Sequence, residues 1–170
     1  MQYLEEPTRT LTDPHELLLG YVEAYREAAR RKVVELPESE LYARRLASGW
    51  TPLELLKHLT YMERRWFEWG FAGMAVSDPA GDEDRVTGRW QVGPDETLAE
   101  ILAMLNNVGE RTRTIVAGAS LSDVAATTGR FAGREPPTLG WIYCHVLQEY
   151  ARHLGHLDIV IELAGGSVGE

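Results

Sequence analysis

A helix-opening signal followed by apolar residues at spacings of three and four recurs along this chain and constrains its fold most. No alternating run is long enough to require a major sheet. Asp13-Pro14-His15-Glu16 sets an N-cap aspartate before a proline at the first helical position, with a glutamate placed to close a capping box. Leu17, Leu18, Tyr21, Val22, Tyr25 and Ala28 then mark an inward stripe, which fades near Leu36-Pro37. Thr51-Pro52-Leu53-Glu54 repeats the same grammar ahead of Leu55, His58, Leu59, Met62, Trp66 and Trp69, with an end near Ala72-Gly73. A third helix is expected from about Asp95 and Glu96, with Leu98, Ile101, Leu102, Leu105, Val108 and Ile115 facing inward and a stop near Gly118. The last runs from about Thr138 to Ala164 and stops at Gly165-Gly166. Four helices of roughly twenty residues predict an all-α four-helix bundle. Its second and third connections are long enough to be crossovers, and the one from Ala119 to Pro137 is of a length that is usually functional or mobile. In the other, Arg89-Trp90-Gln91-Val92 reads as a short extended piece with no evident partner strand.

A length of 170 residues suits one domain over 1–170, with its core over about 13–164. The net charge of −9 leaves no cationic excess for phosphates, so a nucleic-acid partner is not expected. A single cysteine, Cys144, excludes an intramolecular disulfide framework or a thiolate cluster. The acidic, polar start of the chain lacks the character of a signal peptide, and no apolar run is long enough for a bilayer. The expectation is a cytoplasmic protein with a small-molecule substrate, no membrane partner, and a homodimer as one assembly open to a bundle of this size.

Three of the five histidines fall in the final helix, together with Glu149. At about 100° per residue, His145, Glu149, His153 and His156 share one face, while Cys144 lies nearly opposite and is expected to be a small buried residue. Ile142, Val146, Ile159 and Val160 flank this face, so its polar groups need partners or a metal ion. Residues four apart on a helix stack about 6 Å along the axis and can chelate one ion. Glu149 with His153 and His145 with Glu149 are both such pairs, and His153 with His156 is a third at spacing three. A further ligand must come from another helix, and His58 on the inward stripe of the second is the candidate. His15, in a first helical turn, is expected to be exposed.

Two histidines and a glutamate suit Zn2+, Ni2+ or Fe2+ better than Ca2+ or Mg2+. Three protein ligands leave a coordination position open, as catalytic sites do. Such an ion lowers the pKa of a bound water or thiol.

Residues 48–67 (SGWTPLELLKHLTYMERRWF) and 145–158 (HVLQEYARHLGHLD) resemble the DinB-like superfamily, and most closely its actinobacterial mycothiol-transferase branch. A weaker resemblance extends over about 13–164 and includes PDETLAEILAML. It implies an up-up-down-down four-helix bundle and, carried over, His58, Glu149 and His153 as metal ligands. Many relatives have histidine at the position of Glu149, whereas the similar mycothiol-dependent maleylpyruvate isomerases have glutamate. The chain departs from its relatives at Leu139-Gly140-Trp141, where they often read LRW, and at Ile161, where they often carry arginine.

The resemblance implies a metal-dependent thiol S-transferase that activates a low-molecular-weight thiol such as mycothiol. A metal-dependent hydrolase is the alternative, with Glu63 and His156 as spare acid–base groups. Glu63 would otherwise salt-bridge on the helix surface, and His156 would hydrogen-bond a metal ligand. A non-catalytic bundle, using a metal or a hydrogen-bond cluster for stability or dimerisation, is the third reading. Trp66 is expected in the core, and Trp50 and Trp90 at a pocket mouth or a subunit interface.

Overall fold

The computed structural model describes residues 5–166, and among them the chain is helical, with isolated bridges Glu83–Trp90 and Val124–Thr138 in place of a sheet. The helices are α1 (Pro14–Val34), α2 (Glu38–Leu41), α3 (Pro52–Trp66), α4 (Leu98–Val116) and α5 (Leu139–Leu163). A π turn, Phe67–Phe71, prolongs α3, and a 3-10 turn, Gly129–Phe131, lies in the last long connection. α1 packs on α5, and α3 packs against both α4 and α5. No helix among the described residues is long and apolar enough to cross a membrane.

Local chemistry sets the helix ends. Asp13 accepts from the amides of His15 and Glu16 at 2.8 and 3.0 Å, and Pro14 follows it. Thr51 and Glu54 form a complete capping box. So do Thr97 and Glu100, and they correct the expected start of α4. Asp95 and Glu96 lie outside the helix because Thr97 is the better cap, and Glu96 is bound instead to Lys57 at 2.6 Å. α5 ends as expected, with Gly165 at φ +78 and the Gly166 amide closing onto the Ile161 carbonyl at 2.9 Å. The one-turn α2 has no apolar rhythm to reveal it.

α3 is the central helix. Every residue in it except Arg64 and Arg65 is buried, including Glu54, Lys57, His58, Thr60 and Glu63. Each of these needs a partner. Glu54 accepts from Arg44 at 2.9 Å, Lys57 donates to Glu96, and the Thr60 hydroxyl donates to the Leu56 carbonyl.

Glu63 makes the widest connection, and its place corrects the expectation of a surface ion pair. Its carboxylate is fully buried and accepts from Arg26 of α1 at 2.7 and 2.9 Å, Thr112 of α4 at 2.7 Å and Tyr150 of α5 at 2.6 Å. One side chain therefore joins all four long helices. A Cβ on Gly109 would come within 2.7 Å of the Arg26 guanidinium, so the glycine makes room for it. Leu55, Leu59, Leu105, Ile142, Val146 and Leu157 are among the core residues around this network. His15 is half-buried rather than exposed, and its Nε2 lies 3.0 Å from the Tyr143 hydroxyl.

Glu63→Gln leaves Arg26 buried without its counter-charge. The expected cost is about 3–5 kcal/mol, read as a lower urea midpoint. Burial raises the Tyr150 pKa well above its ordinary value; the Glu63 charge adds to this and Arg26 opposes it. The folded state thus keeps a proton that the unfolded chain releases near pH 10, so stability falls as pH rises beyond about 10. Tyr143 is raised as well, chiefly by burial. Tyr150→Phe should therefore reduce, without abolishing, the alkaline loss seen in pH-dependent denaturation.

Candidate metal centre

His58 and the α5 pair meet where α3 and α5 pack together. The ligating atoms of His58, Glu149 and His153 all lie within 4.8 Å of one another. Glu149 and His153 are in contact along their own helix, with Oε2 of one 3.2 Å from Nε2 of the other. His58 is held from behind: its Nδ1 lies 2.9 Å from Oδ2 of Asp82, a fully buried carboxylate that also accepts two bonds from Arg65. Burial alone would raise the Asp82 pKa, but the hydrogen bonds and charges of His58 and Arg65 outweigh it and hold the group below its ordinary range. With Nδ1 engaged by Asp82, Nε2 of His58 is the nitrogen free to ligate.

The donor set fits a transition ion. His153 is buried, and its Nδ1 has no hydrogen-bond partner among the described residues. Burial first, and then the neighbouring His58, pull its pKa down to about 4, against an opposing effect of Glu149. Its imidazole is thus neutral at pH 7, the state that a ligand requires. Two imidazoles and a carboxylate on opposed helices are the donors that suit Zn2+, Ni2+ or Fe2+. His58, Asp82 and Glu83 form a second close group, but Asp82 is already committed to Arg65 and to Nδ1 of His58. Asp82 is better placed to orient the imidazole than to bind an ion.

Aromatic rings wall the cluster. Trp90 stacks on His58 with centroids 4.1 Å apart and meets His153 at 5.2 Å. Trp50 lies 6.3 Å from both Trp90 and His156. The two tryptophans in the helix entry and the loop therefore line this site. Trp90 reaches it because the bridge to Glu83 folds the connection back, with the Gln91 amide donating to the Asp82 carbonyl at 2.9 Å.

The remaining candidates separate. His156 packs beside His153 at 5.6 Å and forms no hydrogen bond to the three clustered residues among those described. His145 lies one turn away, with Nε2 3.8 Å from Oε1 of Glu149, between the rings of Trp66 and Trp141. Burial lowers its pKa; Glu149 opposes this and Arg130 adds to it. Glu63 is absent from the cluster because its carboxylate is occupied by Arg26, Thr112 and Tyr150. Cys144 is exposed, which corrects its expected burial, and it lies on the far side of α5. Ile159 is exposed too, whereas Ile161 packs in the core. A cleft of about 250 Å³ between α1 and α4 is lined by Glu23, Arg30 and Arg113, whose charges are paired with neighbouring groups, and holds none of the clustered residues.

A family model described as mycothiol-S-transferase matches residues 17–166, which include His58, Asp82, Glu149 and His153. The chain belongs to the mycothiol S-transferase family. No curated protein matches it. The family agrees with the DinB-like resemblance of the α3 and α5 segments. Asp82 is the functional candidate that sequence reasoning missed. Its loop, SDPAGDEDR, has no periodicity, and the only available signal was the general need of a ligating histidine for a carboxylate on its other nitrogen.

Asp82→Asn keeps the size of the side chain but weakens its hold on His58. Metal affinity measured by chelator competition should fall by about 10–100-fold, with helical content retained.

Proposed function

We propose that this protein is a metal-dependent thiol S-transferase that joins mycothiol, or a closely similar low-molecular-weight thiol, to a small electrophile. The observation that carries the reading is the convergence of His58, Glu149 and His153 within 4.8 Å, in a chain of the mycothiol S-transferase family. These three residues would hold one Zn2+, Ni2+ or Fe2+ ion. Such an ion, when bound, lowers the pKa of a thiol at its open position and so supplies thiolate at neutral pH.

The residues of the chain prepare that position. Asp82 fixes the tautomer and ring plane of His58, and Arg65 keeps Asp82 ionised. Trp50 and Trp90 limit water beside the donors and lower the local dielectric. With one carboxylate and two imidazoles as its ligands, the set His58, Glu149 and His153 would leave a divalent ion a net positive charge at the open position. Cys144, exposed on the opposite side of α5, is no candidate for the nucleophile. The thiol must therefore arrive as a cosubstrate.

Reconstitution with Co2+ tests this reading. The wild type should bind about one ion per chain, and added mycothiol should produce a sulfur-to-cobalt charge-transfer band. His58→Ala should lose the stoichiometric metal and the band together, and thiol conjugation should fall to background. Metal binding without a thiol band would favour water activation and a hydrolase, and failure to bind metal would remove both enzymatic readings.

A further inference from the structure

The long connection before α5 delivers an arginine to the end of the candidate centre. Its 3-10 turn Gly129–Phe131 packs on the π turn Phe67–Phe71. Gly129 adopts φ +58, and a Cβ there would lie 2.3 Å from the Trp69 carbonyl oxygen, so only glycine allows this approach. The Arg130 stem runs beside Gly70, where a Cβ would lie 3.6 Å from its Cδ. Its guanidinium is 4.2 Å from the centroid of the Trp66 ring and 6.0 Å from that of Trp69. Trp66 in turn touches His145 at 4.3 Å, and His145 reaches Glu149. Arg130 therefore lies on the surface that runs out from the metal ligands.

Stacking uses the face of a guanidinium and leaves its N–H donors free in the plane. Arg130 makes no hydrogen bond or ion pair among the described residues. Its neighbour Arg65 is taken by Asp82, while Arg134 is exposed and likewise unpaired among those residues. Burial, together with repulsion from Arg65 and Arg134, lowers the Arg130 pKa. In a chain of net charge −9, Arg65 and Arg134 thus lie near enough to Arg130 to repel its charge, and of the three only Arg65 has a carboxylate partner among the described residues. A half-buried cation without a counter-charge is costly, and a bound anion removes that cost.

We propose that Arg130 binds a carboxylate on the electrophile, with its guanidinium held flat on Trp66 and its donor edge turned to the ligand. The assignment of that ligand as the electrophile rests on the S-transferase reading; the anion subsite rests on geometry alone. Trp66 follows His58 by eight residues, a rise of about 12 Å, and His145 precedes Glu149 by four, about 6 Å. The backbone of the residues beside Arg130 is thus offset along the helix axes by roughly 6–12 Å from the ligands, which places its guanidinium beyond the reach of a short acid held at the ion. That selects an aryl or medium-chain organic acid over a two-carbon acid.

Isothermal titration of the zinc-loaded protein with 4-phenylbutyrate and its uncharged amide tests the subsite without turnover. The acid should bind about tenfold more tightly than the amide, as a charge-assisted hydrogen bond to arginine implies. Arg130→Gln should erase the preference, Arg130→Lys should keep part of it, and removal of zinc should leave it in place, with circular dichroism showing each protein folded. Equal binding of acid and amide, a preference that survives in R130Q, or one that disappears with zinc would overturn the subsite. Failure of the cobalt–thiol band with the acid preference intact would overturn the S-transferase reading alone. Loss of the preference with the band intact would overturn the anion subsite alone.

Discussion

The Glu63 carboxylate is the interaction on which the rest of the structure depends. It accepts hydrogen bonds from Arg26, Thr112 and Tyr150 and so fixes α1, α4 and α5 around α3. Hydrophobic burial drives these helices together but has no direction of its own. A buried anion with three donors does have direction, since each must arrive at bonding distance or leave a costly unpaired group. The network thereby sets which face of each helix turns inward, and places Tyr150 of α5 beside Glu63 of α3. Glu149 and His153 are the residues before and three after Tyr150, and His58 is five before Glu63. The register that satisfies Glu63 also brings the metal-ligand candidates together.

The same central helix thus carries the packing core and a candidate metal donor. α3 is buried around nearly its whole circumference, and its charged groups are paired with separate parts of the chain. Arg26 compensates Glu63, Arg44 compensates Glu54 and Glu96 compensates Lys57, whereas His58 meets Asp82 on one side and the α5 donors on the other. His58 is therefore the polar residue of α3 whose surroundings suit an exogenous ion. Its fixed ring, the contact of His153 Nε2 with Glu149 and the stacked Trp90 describe candidate donors that the chain itself holds in place.

Much of this was legible in the sequence, for identifiable reasons. Asp13-Pro14 and Thr51-Pro52 announce helix starts through capping chemistry that acts within four residues, and the structure has both. The Glu149 and His153 contact follows from helical spacing, and His58 from its place on an apolar stripe. What escaped were consequences of long-range packing. Glu63 reads as a surface residue because nothing near it in sequence announces Arg26, Thr112 or Tyr150. Asp82 and Trp90 lie in a loop without periodicity, and a backbone bridge and the paired Arg65 bring them to His58. Cys144 misled in the opposite way: its type favours burial, yet its angular position on α5 puts it in solvent.

The central physical claim is that one ion can be shared by side chains from α3 and α5. Diffraction from crystals of the metal-loaded protein, recorded on both sides of the absorption edge of the metal, tests it directly. The account predicts one anomalous peak within about 2.0–2.2 Å of a nitrogen of His58, a nitrogen of His153 and an oxygen of Glu149. A peak bound elsewhere, or the imidazole of His58 turned away from α5 in a fully loaded crystal, would contradict it.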